Sequence, residues 1–159
     1  MKTLTLDKYD VAILNALHED SRRSWVDLAE AVHLSPSACQ RRTQTMRELG
    51  VIARYTIDVD TELMGYDVEA FVAVNIERQQ GEHAAAFRAR MLALPQIQSC
   101  FMLSGSIDFM LRVVARNLRE FGQFIQEELL SLPGVKDATS SLVLECIKRD
   151  QSLPPQTTP

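Results

Sequence analysis

The chain has 159 residues, 46% of them hydrophobic and 24% charged, and its formal net charge is −4 at pH 7. This composition is that of a folded globular protein, and no run approaches the roughly 20 apolar residues of a membrane-spanning helix, so we expect a cytoplasmic protein with no membrane partner. Residues 1–58 hold eight basic and eight acidic side chains, so the negative charge lies beyond them and only this first part suits a polyanion.

Two short helices are predicted at the start of the chain. Apolar residues recur at helical spacing from Leu6 to Leu17, which predicts a first amphipathic helix. Ser24, followed three residues later by Asp27, resembles a capping box and predicts a second helix of about two turns.

The stretch 34–50, LSPSACQRRTQTMRELG, predicts a third helix. Ser35 can cap its start, Pro36 suits its first position, and Gly50 can take the left-handed conformation that ends a helix. One side of this helix carries small and apolar side chains, and the opposite side carries Ser, Gln and Arg. The second and third helices, joined by the tight turn HLS, predict a helix-turn-helix whose recognition helix spans 36–49.

The polar side chains of this third helix are the candidate DNA contacts. Arg and Gln pair with guanine and adenine edges in the major groove, whereas Ser and Thr mainly hold phosphates. The candidates are Ser35, Ser37, Gln40, Arg41, Arg42, Gln44, Thr45 and Arg47. The alternative is a solvated helix face of a bundle. Arg42 lies beside the apolar stripe and is equally suited to pair with a nearby acid.

A second domain is predicted beyond residue 58. The segment 51–60, VIARYTIDVD, alternates like a strand, and 59–67 is the predicted linker. The hydrophobic period then switches between two and 3.6, which predicts the order β-α-β-β-α-β. The predicted strands are 68–77, 97–104, 107–115 and 137–148, and the helices lie at about 82–94 and 117–132.

This order is that of a ferredoxin-like fold, in which helices cover one face of a four-stranded antiparallel sheet. The fold class is therefore α+β, with domains at 1–58 and 68–150 and a flexible tail at 151–159. Apolar residues on the other sheet face are expected to be covered by a second subunit. These residues are Phe71, Ala73, Met110, Val143 and Ile147.

The whole pattern resembles the Lrp/AsnC family of leucine-responsive and asparagine-synthesis regulators. The matching segments are LDKYDVAIL, DLAEAVHLSPSACQRR, LGVIARY and LPGVKDATSSLVLECIK. The resemblance implies a sequence-specific bacterial or archaeal transcription regulator with an N-terminal winged helix-turn-helix and a C-terminal ligand-sensing domain. It also implies double-stranded DNA as partner, homodimers that assemble into octamers or similar rings, and small effectors, usually amino acids, bound between dimers.

The loop between the second and third strands of the sensing domain departs from the family. Members commonly show Gly-Asp-x-Asp-Tyr there, and this chain has Gly105, Ser106, Ile107, Asp108 and Phe109. A hydroxyl at Ser106 offers an effector's ammonium only a neutral hydrogen bond, roughly half as strong as a charged one. The resemblance therefore implies an effector site here with an altered ligand or none, and a tight turn is part of either interpretation.

The same resemblance implies that Thr139, Ser140 and Ser141 line the effector pocket, with ordinary placement in the last strand as the alternative.

An enzyme is the first rival interpretation. The three histidines, His18, His33 and His83, are scattered, and no catalytic or phosphate-binding pattern is present. The second rival is a ligand-sensing or assembly protein that does not bind DNA.

Three cysteines, Cys39, Cys100 and Cys146, are widely spaced and lack the CxxC or Cys/His spacing of zinc sites. We expect them to be reduced and mostly buried. The sequence thus predicts neither a metal nor a cofactor.

Overall fold

The computed structural model describes residues 5–77 and 81–148, with the side chains of 81–84 left aside. The predicted tail at 151–159 lies outside these residues. The chain divides between Asp58 and Val59 into two compact units, and the second ends at Ile147. Within the described ranges, no helix is long and apolar enough to cross a membrane.

The first unit contains the three predicted helices. They are α1 (Lys8–Glu19), α2 (Trp25–Val32) and α3 (Pro36–Glu48). Each begins at an acceptor side chain, because Asp7, Ser24 and Ser35 each accept a hydrogen bond from a backbone amide of the first turn. His33 joins α2 to the turn in a left-handed conformation, with φ of 54°. The predicted helix-turn-helix is therefore present.

The core of the first unit lies between the three helices. Ile13, Leu28 and Cys39 are fully buried, and Met46 is 2% exposed. Because Cys39 and Met46 belong to α3, one side of that helix is fixed by packing and the opposite side must face outward. This packing decides which side chains of α3 can meet a partner.

The prediction of a strand at 51–60 was wrong. Residues 53–60 have no regular secondary structure, and most of their side chains are exposed. An alternating pattern makes a strand only when a neighbouring strand accepts its backbone hydrogen bonds, and no described residue supplies that ladder here. A strand-containing wing is thus absent from this part of the described chain.

The second unit has the predicted β-α-β-β-α-β order. Its elements are β1 (Val68–Ile76), α4 (Gly81–Ala93), β2 (Ile97–Met102), β3 (Phe109–Ala115), α5 (Leu118–Gln123) and β4 (Val135–Leu142). The strands form one antiparallel sheet in the order β2-β3-β1-β4. This is the ferredoxin-like arrangement expected from the sequence.

One face of the sheet carries the core of the second unit. Alternate residues of β1, from Val68 to Val74, are buried, and they pack with Leu111 of β3 and with Phe87 and Phe121 of the helices. The strict alternation of buried and less buried positions along β1 follows from the two-residue period of a strand.

Two predicted elements differ from their observed form. The helix expected at 117–132 is α-helical only to Gln123 and then continues as a π-helical turn, Phe124–Leu129. Phe124 and Leu129 are both buried and lie five residues apart, which fits the wider turn of a π-helix. The last strand, expected at 137–148, ends at Leu142, and Ile147 beyond it is 91% exposed.

The opposite face of the sheet mixes apolar and charged side chains. Phe71 is 43% exposed, and Phe101, Met110, Ala73 and Thr139 align across the four strands by their register. Phe71, Ala73 and Met110 were all predicted for this face, whereas Val143 and Ile147 come after the last strand has ended. Among the described residues, this partly apolar face therefore keeps Phe71 exposed and Ala73 and Met110 partly exposed.

The three cysteines are free. Cys39 is buried, but Cys100 and Cys146 are exposed, so the expectation of mostly buried thiols was wrong for two of them. Burial raises the pKa of the Cys39 thiol, which keeps it protonated. The part of the chain that the structure describes contains no cluster of His, Cys, Asp and Glu suited to a metal ion.

Candidate nucleic-acid interface and effector site

The outward side of α3 borders a groove of about 640 Å³ within the first unit. Ser37, Gln40, Arg41, Gln44 and Arg47 are exposed and line this groove, which we call the α3 groove. Of the candidate DNA contacts, these five are brought together. Their common orientation follows from Cys39, Thr43 and Met46, which are buried on the other side of the helix.

The charge of the α3 groove is positive. Among the described residues that line it, Arg23, Arg41 and Arg47 are cationic and none is acidic. The sequence pattern did not reveal Arg23, Trp25 or Tyr55 as part of this surface, because they precede and follow α3 and meet it only in the folded unit. Arg47 stacks its guanidinium over the Tyr55 ring at 5.9 Å from the ring centre.

The polar residues of α3 differ in how far they are already engaged. Gln44 donates to Glu48 at 2.8 Å, and the Thr45 hydroxyl donates to the backbone oxygen of Arg41 at 3.0 Å. Within the described chain, Gln40 and the Arg41 side chain have no hydrogen bond or ion pair. These two side chains can therefore bind a partner without first losing a protein contact.

Ser35 has a local role as well. Its hydroxyl accepts from the backbone amide of Ala38 at 3.2 Å and lies 3.2 Å from the Ser37 hydroxyl. Ser35 thus caps α3, and the Ser37 side chain lies beside this cap at the start of the helix.

Arg42 lies apart from the α3 groove and is held by acids. Its guanidinium forms ion pairs of 2.8 Å with both Asp7 and Asp10 and lies 5.6 Å from the centre of the Tyr9 ring. The hydrogen bond to Asp10, more than that to Asp7, raises the pKa of Arg42. Arg42 thus forms the acid pairing that the sequence offered as the alternative to a phosphate contact, because its position beside the buried stripe turns it toward α1.

In the second unit, three of the predicted effector residues meet at one small cavity. Gly105, Ser106 and Asp108 line a cavity of about 380 Å³, which we call the loop cavity. It is completed by Glu77, Lys136 and the end of β1, none of which the sequence pattern indicated. Gly105 has φ of 134°, a conformation that side-chain-bearing residues rarely adopt.

Asp108 is tied to the strands around the loop cavity. Its carboxylate accepts from the backbone amide of Ile76 at 3.0 Å, and its own amide donates to the Asn75 side chain at 3.2 Å. Asn75 in turn donates to Asp137 at 2.9 Å. This chain of hydrogen bonds joins the loop to the ends of β1 and β4.

The remaining effector candidates do not line the loop cavity. Phe109 begins β3, and its ring is buried against Phe87 with 4.7 Å between ring centres. Ile107 is half-buried. Thr139 and Ser140 are exposed neighbours in β4, so they point to opposite faces of the sheet. In the single chain the predicted set is therefore divided between cavity, core and strand.

Both units of the chain match domains of a known protein family. The model of the AsnC-type helix-turn-helix domain matches residues 6–47, and that of the Lrp/AsnC ligand binding domain matches residues 69–153. The chain belongs to the Lrp/AsnC family. The member described here is thus a transcriptional regulator of the Lrp/AsnC type, as its sequence predicted.

Similar regulators are known from several bacteria. The Bkd operon transcriptional regulator of Pseudomonas aeruginosa is 37% identical to this Lrp/AsnC regulator, over 94% of this chain and 97% of its own. The transcriptional regulator AzlB of Bacillus subtilis is 35% identical, over 95% and 96%. A crystal structure of a Neisseria meningitidis transcriptional regulator in complex with L-methionine has a TM-score of 0.90 and 37% identity, covering 94% and 97%.

Proposed function

We propose that this regulator binds specific double-stranded DNA through the α3 groove and is modulated by a small effector, such as an amino acid. The observation that carries the first half is the lining of the groove, which contains three arginines and no acidic residue. Arg23 pairs with Glu19 at 2.8 Å, whereas Arg41 has no ion pair within the described chain. A positive surface on the outward side of a helix-turn-helix is what the phosphate backbone attracts. The proposed DNA-binding domain comprises residues 1–58.

The proposed roles within the interface follow from whether each side chain already has a hydrogen-bond partner in the protein. Gln40 and Arg41 are unengaged and are the proposed base-reading residues, with Gln44 able to exchange Glu48 for a base edge. Ser37, Thr45 and Arg47 are proposed to hold phosphates. Ser35 acts mainly as the cap of α3.

The loop cavity supports the second half of the proposal. Glu77 and Lys136 place opposite charges around it, and a free amino acid carries an ammonium and a carboxylate that match both. The complex of the Neisseria meningitidis relative with L-methionine makes that amino acid the first effector to test. Ser106 lines the cavity and is proposed as a neutral partner for the ligand. For Thr139 and Ser140 we propose a role only through their position near a second subunit.

Assembly is part of the same proposal. The sheet face that carries Phe71, Ala73 and Met110 is partly apolar and stays partly exposed among the described residues, so we propose that residues 68–150 form a homodimer that builds an octamer or a similar ring. Light scattering after size exclusion is expected to give a dimer or a larger species. A monomer at micromolar concentration would contradict this part.

We further propose that the protein is not an enzyme and that it acts in the cytoplasm, where bacterial DNA lies. The relatives are named as regulators of transcription. The two candidate surfaces offer binding groups, and the α3 groove has no histidine or carboxylate among its described lining residues.

The deciding experiment is a fluorescence-anisotropy titration against labelled DNA from upstream of the protein's own gene and against a scrambled fragment, at two salt concentrations. Preferential binding to the upstream fragment that weakens with salt is expected. Absence of binding at both salt concentrations would refute the DNA half and favour a ligand-sensing protein. Repeating the titration with L-methionine tests the effector half.

A further inference from the structure

Trp25, the one tryptophan of the chain, has an unusual place in the first unit. It is the first residue of α2, and the residues of this helix that belong to the core are Leu28, Ala29 and Val32. Trp25 remains 41% exposed. The hydrophobic core therefore ends before it and leaves part of its large ring available.

Trp25 is also one of the residues that line the α3 groove. The indole lines that groove together with Arg23, Ser37 and Arg41. Its backbone position is fixed, because Ser24 accepts from the amide of Asp27 at 3.2 Å and donates to the Asp27 carboxylate at 2.7 Å. A rigid aromatic side chain with one hydrogen-bond donor thus lies in the same groove as Arg41, which has no ion pair within the described chain.

We propose that Trp25 is a further DNA-contacting residue, whose indole N–H donates to a phosphate while its ring packs on the adjoining deoxyribose. The inference rests on the proposed DNA-binding function. In a helix-turn-helix the recognition helix enters the major groove and the helix before it crosses the sugar–phosphate backbone. Here α3 is the recognition helix, so the start of α2 meets the backbone, and the indole Nε1 can only donate, which suits a phosphate acceptor.

This contact has a distinct signature. A phosphate contact fixes the position of the protein without reading sequence, so its loss weakens binding to all fragments by the same factor. The indole is neutral and displaces no counterion by charge, so the salt dependence of binding stays unchanged. Loss of an arginine contact, by contrast, lowers the salt dependence.

The uniqueness of Trp25 allows a direct test on the unmodified full chain. Tryptophan emission and its quenching by acrylamide are recorded while labelled upstream DNA is added, and anisotropy of the label reports binding in the same samples. Binding with strong protection of Trp25 from acrylamide is expected. Binding with unchanged quenching would overturn the Trp25 contact and leave the DNA function intact. Absence of binding by anisotropy would refute the DNA function and the contact together.

A second copy of the chain is the competing cause of protection. Acrylamide quenching is therefore also measured without DNA across a range of protein concentrations. Quenching that does not depend on protein concentration is expected, and protection that develops without DNA would assign Trp25 to an interface between copies and overturn the proposal.

Variants separate the donor from the ring. Trp25→Phe keeps a ring and removes the N–H, and it is expected to weaken binding about tenfold, the usual worth of a hydrogen bond to a charged acceptor. Trp25→Ala is expected to weaken it further, equally for upstream and scrambled DNA. Val26→Ala is the matched control, because Val26 is 64% exposed beside Trp25 and does not line the groove. Equal affinities of wild type and Trp25→Phe would overturn the phosphate contact.

Discussion

The α3 groove and the loop cavity differ in how much of their polar chemistry is already in use. In the groove, Gln40 and the Arg41 guanidinium have no hydrogen-bond or ion-pair partner within the described chain, and the charged residues among its described lining are arginines. In the loop cavity, Asp108 is bonded to the backbone of β1, and Asn75 links it onward to Asp137. Gln40 and Arg41 can thus bind a ligand without first losing a protein contact, whereas a ligand of the cavity must share groups that hold the strand ends together.

The largest expected effect concerns DNA binding by the α3 groove. Arg41→Ala is expected to weaken binding to the upstream fragment by about 1–3 kcal/mol and to reduce its preference over scrambled DNA, because a bidentate base contact is lost. Anisotropy titration measures both. Helix content and oligomer size should stay the same, since the Arg41 side chain makes no hydrogen bond or ion pair within the described chain.

The matched control for Arg41 is Arg22→Ala. The Arg22 side chain is 91% exposed and does not line the α3 groove, so its loss removes the same charge from the same unit. Affinity is expected to be nearly unchanged. Equal losses in the two variants would mean that overall charge, and not the groove, binds DNA.

The next effect concerns the cavity side. Gly105→Val is expected to destabilise the loop by about 1–2 kcal/mol and to abolish binding of L-methionine, because a branched residue is strained at positive φ. The strain lies in the backbone, since a Cβ at Gly105 has no atom within 4 Å. Thermal unfolding and calorimetry measure the two consequences. Unchanged calorimetry would move the effector site elsewhere.

Gly122→Ala provides a control of opposite sign. Gly122 lies within α5, its φ is not positive, and a Cβ there also has open space. Alanine is therefore expected to stabilise the second unit by about 0.5–1 kcal/mol. A destabilising Gly122→Ala would indicate that any added side chain harms this unit.

A smaller effect is expected at Thr43, on the buried side of α3. Thr43 is 1% exposed, and its hydroxyl has no hydrogen-bond partner among the described residues. Thr43→Val keeps the shape and removes the unpaired hydroxyl, so it is expected to raise the free energy of unfolding by about 1 kcal/mol. Denaturant unfolding measures it, with Thr45→Val as an exposed comparison expected to change little. A loss of stability in Thr43→Val would refute the argument.

The smallest effect is a pH dependence in the first unit. The backbone amide of Asp10, and to a smaller degree Arg42, holds the pKa of Asp7 below its ordinary value of 3.8. A pKa that is lowered in the folded state stabilises the fold at pH values above 3.8, and this stabilisation is lost as the pH falls through the lowered pKa. The melting temperature of the wild type is therefore expected to be higher than that of Asp7→Asn near neutral pH, and the difference between the two should disappear in acid. A constant gap would contradict this.

Much of the fold could be predicted from local patterns. The caps at Ser24 and Ser35 and the alternation along β1 each identify an element by themselves. The π-helical turn could not be predicted, because Ile125 continues an ordinary helical stripe and only packing selects the five-residue step from Phe124 to Leu129.

The candidate sites divide in the same way. The exposure of Arg41 follows from the helical period, so the sequence is sufficient to predict it. Arg42 lies one position along, and only the folded unit brings Asp7 and Asp10 to it. Trp25 and Lys136 join their sites from other elements, so no linear motif contains them.

The two aspartates that begin α1 also determine how α3 is held. Asp7 and Asp10 form the capping box of α1, and both carboxylates pair with Arg42 of α3. The first turn of α1 therefore holds the recognition helix α3 in place. One substitution there would weaken the cap of α1 and remove one of the two ion pairs that hold α3. Changes in operator choice are therefore expected from residues that touch no base.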